Sequence, residues 1–199
     1  SAARQAGVKK FIYLSTSHVY GLFPTGRFAE DTVTDNPHPY AASRIAAEAA
    51  VQSSAYGSDM QTLIFRISNC VGFPVNKSCN CWHLVSNSLC KQVFTDSRLM
   101  LFSPGSIKRD FVSMSDVLAV IERGCEFGDI RSMTGIYNLS SGKTVTLREL
   151  AEKISIAYSD YKGVAPLVVR EPALRLGEVD EPDYVISNAK ILSEGIRLN

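Results

Sequence analysis

Phe11-Ile12-Tyr13-Leu14-Ser15-Thr16-Ser17-His18-Val19-Tyr20-Gly21, followed after a turn-rich stretch by Pro39-Tyr40-Ala41-Ala42-Ser43-Arg44, decides how the rest of the chain is read. Lys9 and Lys10 lead into a short apolar, aromatic-rich run, Phe11 to Leu14, of the kind that forms a buried strand of a parallel sheet. Ser15 to Pro39 is polar and carries Gly21, Pro24, Gly26, Pro37 and Pro39, which reads as one long loop; loops of that length in a compact domain are usually functional. Tyr40 to Tyr56 is Ala-rich without Gly or Pro and predicts a helix of about four turns, stopped by Gly57. Gln61 to Ile67 is the next buried strand. Strand, loop, helix, strand implies a crossover connection in a parallel sheet.

Upstream, Ala2 to Gly7 reads as the last turn of a helix with a Gly stop and no start signal, so the sequence is expected to begin inside a domain. Downstream, Trp82, Val85, Leu89 and Val93 fall near helical spacing, and Leu99 to Phe102 is a short strand ended by Ser103-Pro104-Gly105. Asp110 to Met114 is extended, and Ser115 is expected to cap a helix running to about Phe127. Gly135 to Leu139 is a strand, and Thr146 to Tyr158 a helix whose Thr146 and Glu149 have capping-box spacing. A strand near Leu167 to Val169 and a helix from Ser187 to Glu194 complete an α/β pattern.

The bulk composition excludes several classes. The 199 residues carry a net charge of +1, with 45% hydrophobic and 21% charged residues. No basic field recruits nucleic acid or a membrane surface, and no apolar run is long enough to span a bilayer. Five dispersed cysteines, Cys70, Cys79, Cys81, Cys90 and Cys125, suggest reduced thiols in a cytoplasm. Cys79 and Cys81 lie near His83, but the second ligand pair of a structural zinc site is missing, so no metal is expected.

In an open α/β sheet, ligands sit beyond the carboxyl ends of the strands, where the Ser15–Ser17 hydroxyls lie. Tyr40 on the first turn of the following helix can reach the same crevice, with Arg44 one turn on along the same face. A free tyrosine titrates near pH 10, too high for a base at neutrality, and a nearby cation favours its phenolate. Thr16 would orient a substrate hydroxyl towards Tyr40, and a hydride acceptor would complete an alcohol oxidation. The plainer alternative is an ordinary helix pair beside a polar loop.

The segment Phe11 to Gly21 with Pro39 to Arg44 resembles the catalytic segment of extended short-chain dehydrogenase/reductases: a strand ending in Ser/Thr, Val-Tyr-Gly, then Pro-Tyr-x-x-x-Lys. The resemblance continues through Arg66-Ile67-Ser68-Asn69-Cys70-Val71-Gly72, Arg109-Asp110-Phe111-Val112 with Asp116-Val117, and Ile136-Tyr137-Asn138-Leu139 with Gly142. It implies the C-terminal part of a Rossmann-like doubly wound parallel sheet (residues 1–72 and 108–141) and a small α+β substrate-binding domain (73–107 and 142–199). It implies NAD or NADP as cofactor, a nucleotide-sugar substrate, most simply epimerisation, and a homodimer formed through the Ala-rich helix. By this resemblance Thr16, Tyr40 and Arg44 are catalytic. Ser15, Tyr40, Arg44, Ile67, Cys70 and Val71 lie by the cofactor, and Ser17, His18, Asn69, Asn80 and Arg109 by the substrate. Arg109 suits a diphosphate through its planar fork, or pairs with Asp110 or Asp116 on the surface. Trp82 either stacks on a base or sugar or fills space under a loop.

Three departures stand out. The Gly-rich turn that seats a pyrophosphate at a helix N-terminus is absent from the sequence, so this chain alone is expected to bind cofactor weakly. Arg44 stands in place of Lys, keeping the charge but not the compact ammonium. Ser17-His18 replaces the Asp-Glu pair of sugar 4,6-dehydratases, which speaks against elimination and leaves His18 either a second acid/base or a polar loop residue. A reductase or decarboxylase would use the same residues, and a non-catalytic binding or assembly subunit is the remaining alternative.

Overall fold

The computed structural model describes residues 2–21, 25–76, 78–101, 105–125, 133–170 and 183–198. The described elements run α1 (Ala2–Gln5), β1 (Lys10–Thr16), β2 (Gly26–Phe28), α2 (Pro39–Ala55), β3 (Gln61–Ile67), β4 (Asn69–Val71), α3 (Val85–Asp96), β5 (Arg98–Leu101), β6 (Lys108–Ser113), α4 (Met114–Cys125), β7 (Gly135–Leu139), β8 (Thr144–Thr146), α5 (Leu147–Lys162), β9 (Leu167–Arg170), β10 (Tyr184–Ile186) and α6 (Ala189–Ser193). They fall into two compact units. The first holds Ser1–Cys70, Asp110–Lys143 and Asp183–Asn199, the second Val71–Arg109 and Thr144–Pro182.

The first unit is built on a parallel sheet in the order β1-β3-β7. Lys10 pairs with Gln61 and Thr16 with Ile67, and Ile67 in turn with Leu139, so all three strands end together. The central strand β3 is buried on both faces: Leu63, Ile64, Phe65 and Arg66 are all buried. Leu63 and Phe65 join Val117, Val120, Tyr137, Leu139 and Ile191 in the main core. The close approach of α4 explains Gly124, where a Cβ would come within 2.8 Å of Leu63 Cδ2. The alternate residue Arg66 points to the other face, where Glu48 of α2 receives it. An arginine in so apolar a strand needs such a partner, because an isolated buried charge is prohibitively costly.

The stretch expected to be one loop, Ser15 to Pro39, has structure of its own. Ser17–Tyr20 is a turn of 3-10 helix, and Gly26–Phe28 pairs in parallel with β10. Val19 and Tyr20 pack there with Tyr184 and Ile186. This pairing also corrects the expected division of the chain: Asp183–Asn199 belongs with the first unit, not with the substrate-binding part, because β10 pairs with β2 and Ile191 lies in the main core.

In the second unit β5 and β9 pair in parallel, with α3 and α5 packed nearby. Helix α3 starts at Val85, so Trp82, which shares its spacing, precedes it, with the Lys91 ammonium 5.4 Å from the centre of its ring. Helix α5 has the expected capping box: Thr146 Oγ1 accepts from Glu149 N, and Glu149 Oε2 from Thr146 N. In the first unit, α4 is capped by the Ser113 hydroxyl, which accepts from Asp116 N, rather than by Ser115. The expected strand end at Phe102 to Pro104 and helix end at Phe127 lie outside the described residues.

Candidate active site

β1 delivers Ser15 and Thr16 to the carboxyl end of the sheet, both buried. Thr16 caps the 3-10 turn, its Oγ1 accepting from His18 N at 3.3 Å. That oxygen is used as an acceptor, which leaves the hydroxyl hydrogen available as a donor. The His18 carbonyl is held from the other side by Asn36 Nδ2 at 2.6 Å. Asn36 Oδ1 then accepts from His38 N, and His38 Nδ1 from Tyr40 N, which caps α2 with Pro39 at its first turn. Three hydrogen bonds, one across 18 residues and two local, thus carry the chain from the strand-end turn to the tyrosine.

The Tyr40 ring lies at the surface, 45% exposed, in a T-shaped arrangement with the His18 ring at a centroid separation of 6.2 Å. The Arg44 guanidinium carbon is 5.2 Å from the Tyr40 ring centroid, within cation–π range. Arg44 Nη1 also donates to the Tyr13 hydroxyl at 3.1 Å. That hydrogen bond pushes the Arg44 guanidinium further up from its already high value. Phenol, imidazole and guanidinium therefore stand together, the imidazole belonging to the residue whose N–H binds Thr16 and the guanidinium bonded to Tyr13 of the same strand.

One turn further along α2 the polar groups turn inward. Ser15 donates its hydroxyl to Glu48, so this predicted cofactor residue spends its proton inside the unit. Glu48 is forked by Arg66, with Nε at 3.2 and 3.1 Å from the two oxygens and Nη2 at 2.7 Å. Arg66 Nη1 donates to the Tyr20 hydroxyl at 3.0 Å and to the Glu30 carbonyl. Tyr20 donates to Asn138 Oδ1 at 2.6 Å, and Asn138 N donates to Glu30 Oε1. Burial opposes the Arg66 charge, but the bonds to Glu48 and Tyr20 prevail and hold its pKa above the ordinary value; burial likewise pushes the Tyr20 phenol up. Tyr20, Arg66 and Asn138, separate in sequence, thus meet in one network. Glu48 and Asn138 were missed as anchors; the available signals were a lone arginine in an apolar strand and an acid four residues after Arg44 on an Ala-rich helix.

The other predicted residues are placed as follows. Ile67 and Cys70 stand at the end of β3 and in β4, half-buried; burial pushes the Cys70 thiol up, and its sulfur lies 3.8 Å from Met114 Sδ. Asn69 Nδ2 donates to the Asp110 carbonyl at 2.9 Å. Ser17 opens the 3-10 turn and is half-buried. Val71, Asn80 and Arg109 belong to the second unit. Asn80 is exposed there, and Arg109 Nη1 donates to the Lys108 carbonyl. Asp110, fully buried, receives the amide and hydroxyl of Ser141, while Asp116 accepts from Ser113. Among the described residues no group of His, Cys, Asp or Glu is placed to hold a metal, and no helix is long and apolar enough to cross a membrane.

The sequence profile of the NAD dependent epimerase/dehydratase family matches residues 1–139. The low-salt glycan biosynthesis protein Agl12 of Haloferax volcanii is 29% identical over 153 residues, 77% of this chain and 47% of that protein. The dTDP-D-glucose 4,6-dehydratase of Mus musculus is 30% identical over 161 residues, 77% of this chain and 41% of the enzyme. The chain thus spans about half the length of the curated relatives it matches. Among solved structures, the UDP-glucose 4-epimerase of Thermus thermophilus in complex with NAD superposes with a TM-score of 0.75 at 26% identity, covering 98% of this chain and 61% of that one.

Proposed function

The chain belongs to the NAD dependent epimerase/dehydratase family, and from that premise we propose that its natural gene product oxidises a hydroxyl of a nucleotide sugar at the Thr16–Tyr40–Arg44 cluster. The observation that supports the reading is the exposed Tyr40 ring, 5.2 Å from the Arg44 guanidinium carbon and 6.2 Å from the ring of His18, whose N–H binds Thr16. Tyr40 removes the sugar hydroxyl proton at its phenolic oxygen. Thr16, whose oxygen is occupied by His18 N, donates its hydroxyl hydrogen to the same sugar oxygen and orients it. The Arg44 charge attracts the negative charge on the phenol in its proton-accepting form.

The family is NAD(P)-dependent. The donor set here suits the nicotinamide end of that cofactor: a phenol, a cation and small hydroxyls at the aligned ends of parallel strands. Tyr40 and Arg44 would hold the ribose, with Ile67, Cys70 and Val71 beside the nicotinamide, and no Gly-rich pyrophosphate turn occurs in the sequence. When bound, the cofactor supplies the hydride acceptor.

Within the family we favour epimerisation, in which the hydrogen returns to the opposite face of the same carbon. Ser17 and His18, in place of an Asp-Glu pair, disfavour elimination. A reductase or decarboxylase uses the same Tyr40 and Thr16, and Asn69, Asn80 and Arg109 remain the proposed nucleotide-sugar contacts. The exposed Ala46, Ala49 and Ala50 of α2 suit a close helix contact in a homodimer, and the free thiols suit the cytoplasm.

A thermal-shift screen of the natural gene product against nucleotide sugars, with NAD, NADP or neither, tests the reading. A bound pair at a hundredfold excess over its dissociation constant should stabilise the protein by about 2.7 kcal/mol. Sugar inversion without net cofactor consumption then marks an epimerase, and net consumption a reductase. A protein that no nucleotide sugar stabilises in the presence of either cofactor contradicts the proposal.

A further inference from the structure

Arg44 stands between two phenols. Its guanidinium carbon is 5.2 Å from the Tyr40 ring centroid, and its Nη1 donates to the Tyr13 hydroxyl at 3.1 Å. The two tyrosines differ in how firmly they are held. Tyr13 lies in the middle of β1, paired with Ile64 in a run of seven strand partners, and is half-buried. Tyr40 sits on the first turn of α2 and is 45% exposed. Tyr13 and Ser15 alternate to the same face of β1, and Arg44 and Glu48 share a face of α2. Two rungs therefore join strand to helix: Ser15 to Glu48 inside the unit and Tyr13 to Arg44 at its edge.

The outer rung has a consequence particular to arginine. A lysine ammonium is a compact point charge that acts equally in all directions. A guanidinium is a planar fork at the end of a long side chain, and its position over a ring depends on which way the plane is turned. Left alone on a helix surface, such a side chain samples many rotamers. Binding one Nη to a hydroxyl carried by a sheet strand fixes both the reach and the plane.

We propose that Tyr13 is a positioning residue that pins the Arg44 guanidinium over Tyr40 and so adapts the site to an arginine. The proposal rests on the reading of Tyr40 as the acid/base. Tyr13 touches neither substrate nor reacting atoms; it acts through Arg44.

A double-mutant cycle in the natural gene product separates this role from a scaffold role. Tyr13→Phe keeps the ring and removes the hydroxyl. With Arg44 present it should lower kcat about fivefold, the net scale of one partly solvated hydrogen bond, and leave KM within about twofold. In the Arg44→Lys background the same change should cost less than about twofold, since coupled residues are non-additive. Equal losses in both backgrounds, or none with Arg44 present, overturn the proposal.

Heteronuclear NMR of labelled arginine side chains gives a readout independent of turnover. The signal that vanishes in Arg44→Lys should show slow guanidinium rotation in the wild type and fast rotation in Tyr13→Phe; rotation unaffected by Tyr13→Phe overturns the proposal. If the NMR coupling holds while Tyr40→Phe leaves turnover intact, the pin stands and the acid/base reading fails.

Discussion

Tyr20 with Arg66 and Tyr40 with Arg44 are the same two side chains in nearly the same stacking, 5.1 and 5.2 Å from guanidinium carbon to ring centroid. Their surroundings are opposite. Tyr20 and Arg66 are 5% and 4% exposed, and every polar atom named in their network meets a partner from the protein itself. Tyr40 is 45% exposed, with the His18 ring and the Arg44 guanidinium as neighbours, and, after the bond to Tyr13, a side-chain hydrogen bond with Tyr40 adds to the raised Arg44 pKa. Burial decides what a tyrosine–arginine pair can do. Sealed, its guanidinium is met by Glu48 and its phenol by Asn138, and it ties β1, β3, α2 and β7 together; open, its phenolic oxygen can meet a ligand. Both pairs hang from α2, since Glu48 lies four residues beyond Arg44.

Substitutions that break the sealed pair should have the largest effects on stability. Glu48→Gln leaves the Arg66 charge buried without its counter-ion and should cost about 3–5 kcal/mol, a large part of the roughly 5–15 kcal/mol available to a domain. Urea unfolding measures this; a loss below about 1 kcal/mol would show that water reaches the pair.

Tyr20→Phe removes one acceptor from Arg66 and one donor to Asn138, and should cost about 1–3 kcal/mol. The same residue predicts an alkaline effect. Its pKa is raised in the folded chain, chiefly by burial, so above the ordinary value near 10 the unfolded chain releases a proton that the native one retains. Stability should therefore be intact below that pH and fall as pH rises through it. Tyr137, raised by burial and by its bond to Glu194, adds in the same direction. Unfolding curves across that range should be flatter for Tyr20→Phe than for the parent; identical slopes would remove Tyr20 from the alkaline transition.

His38→Ala removes a single side-chain cap from α2 and should cost about 0.5–1 kcal/mol. It sharpens the comparison because it acts at the open end of the helix alone. The loss should be additive with Tyr20→Phe within about 0.5 kcal/mol, as read from the double variant; a larger coupling would mean that the two pairs are not independent.

The sealed and open pairs also differ in how far the sequence reveals them. β1, β3 and β7 are short apolar runs, and α2 is a long Ala-rich run between Pro39 and Gly57, so local pattern suffices for them. Tyr40 and Arg44 are legible for the same reason, being one helical turn apart. The Ser15–Glu48–Arg66–Tyr20–Asn138 network is not, because its members come from four segments and meet only when the sheet forms. Ser15 and Thr16 are adjacent hydroxyls that read alike, yet strand alternation sends one to Glu48 and leaves the other to cap His18. The β2–β10 pairing is invisible locally, since three residues in a Gly- and Pro-rich stretch find partners far along the chain. Ser113 and Ser115 compete for one helix cap, and only the backbone geometry chooses Ser113.

Tyr40→Phe in the natural gene product tests the central claim most directly, with turnover of a stabilising nucleotide sugar and unfolding free energy measured on the same sample. Tyr40 lies at the surface, 45% exposed, so stability should stay within about 0.5 kcal/mol while turnover falls by roughly a hundredfold or more. Turnover within about twofold of the parent would show that the open tyrosine moves no proton.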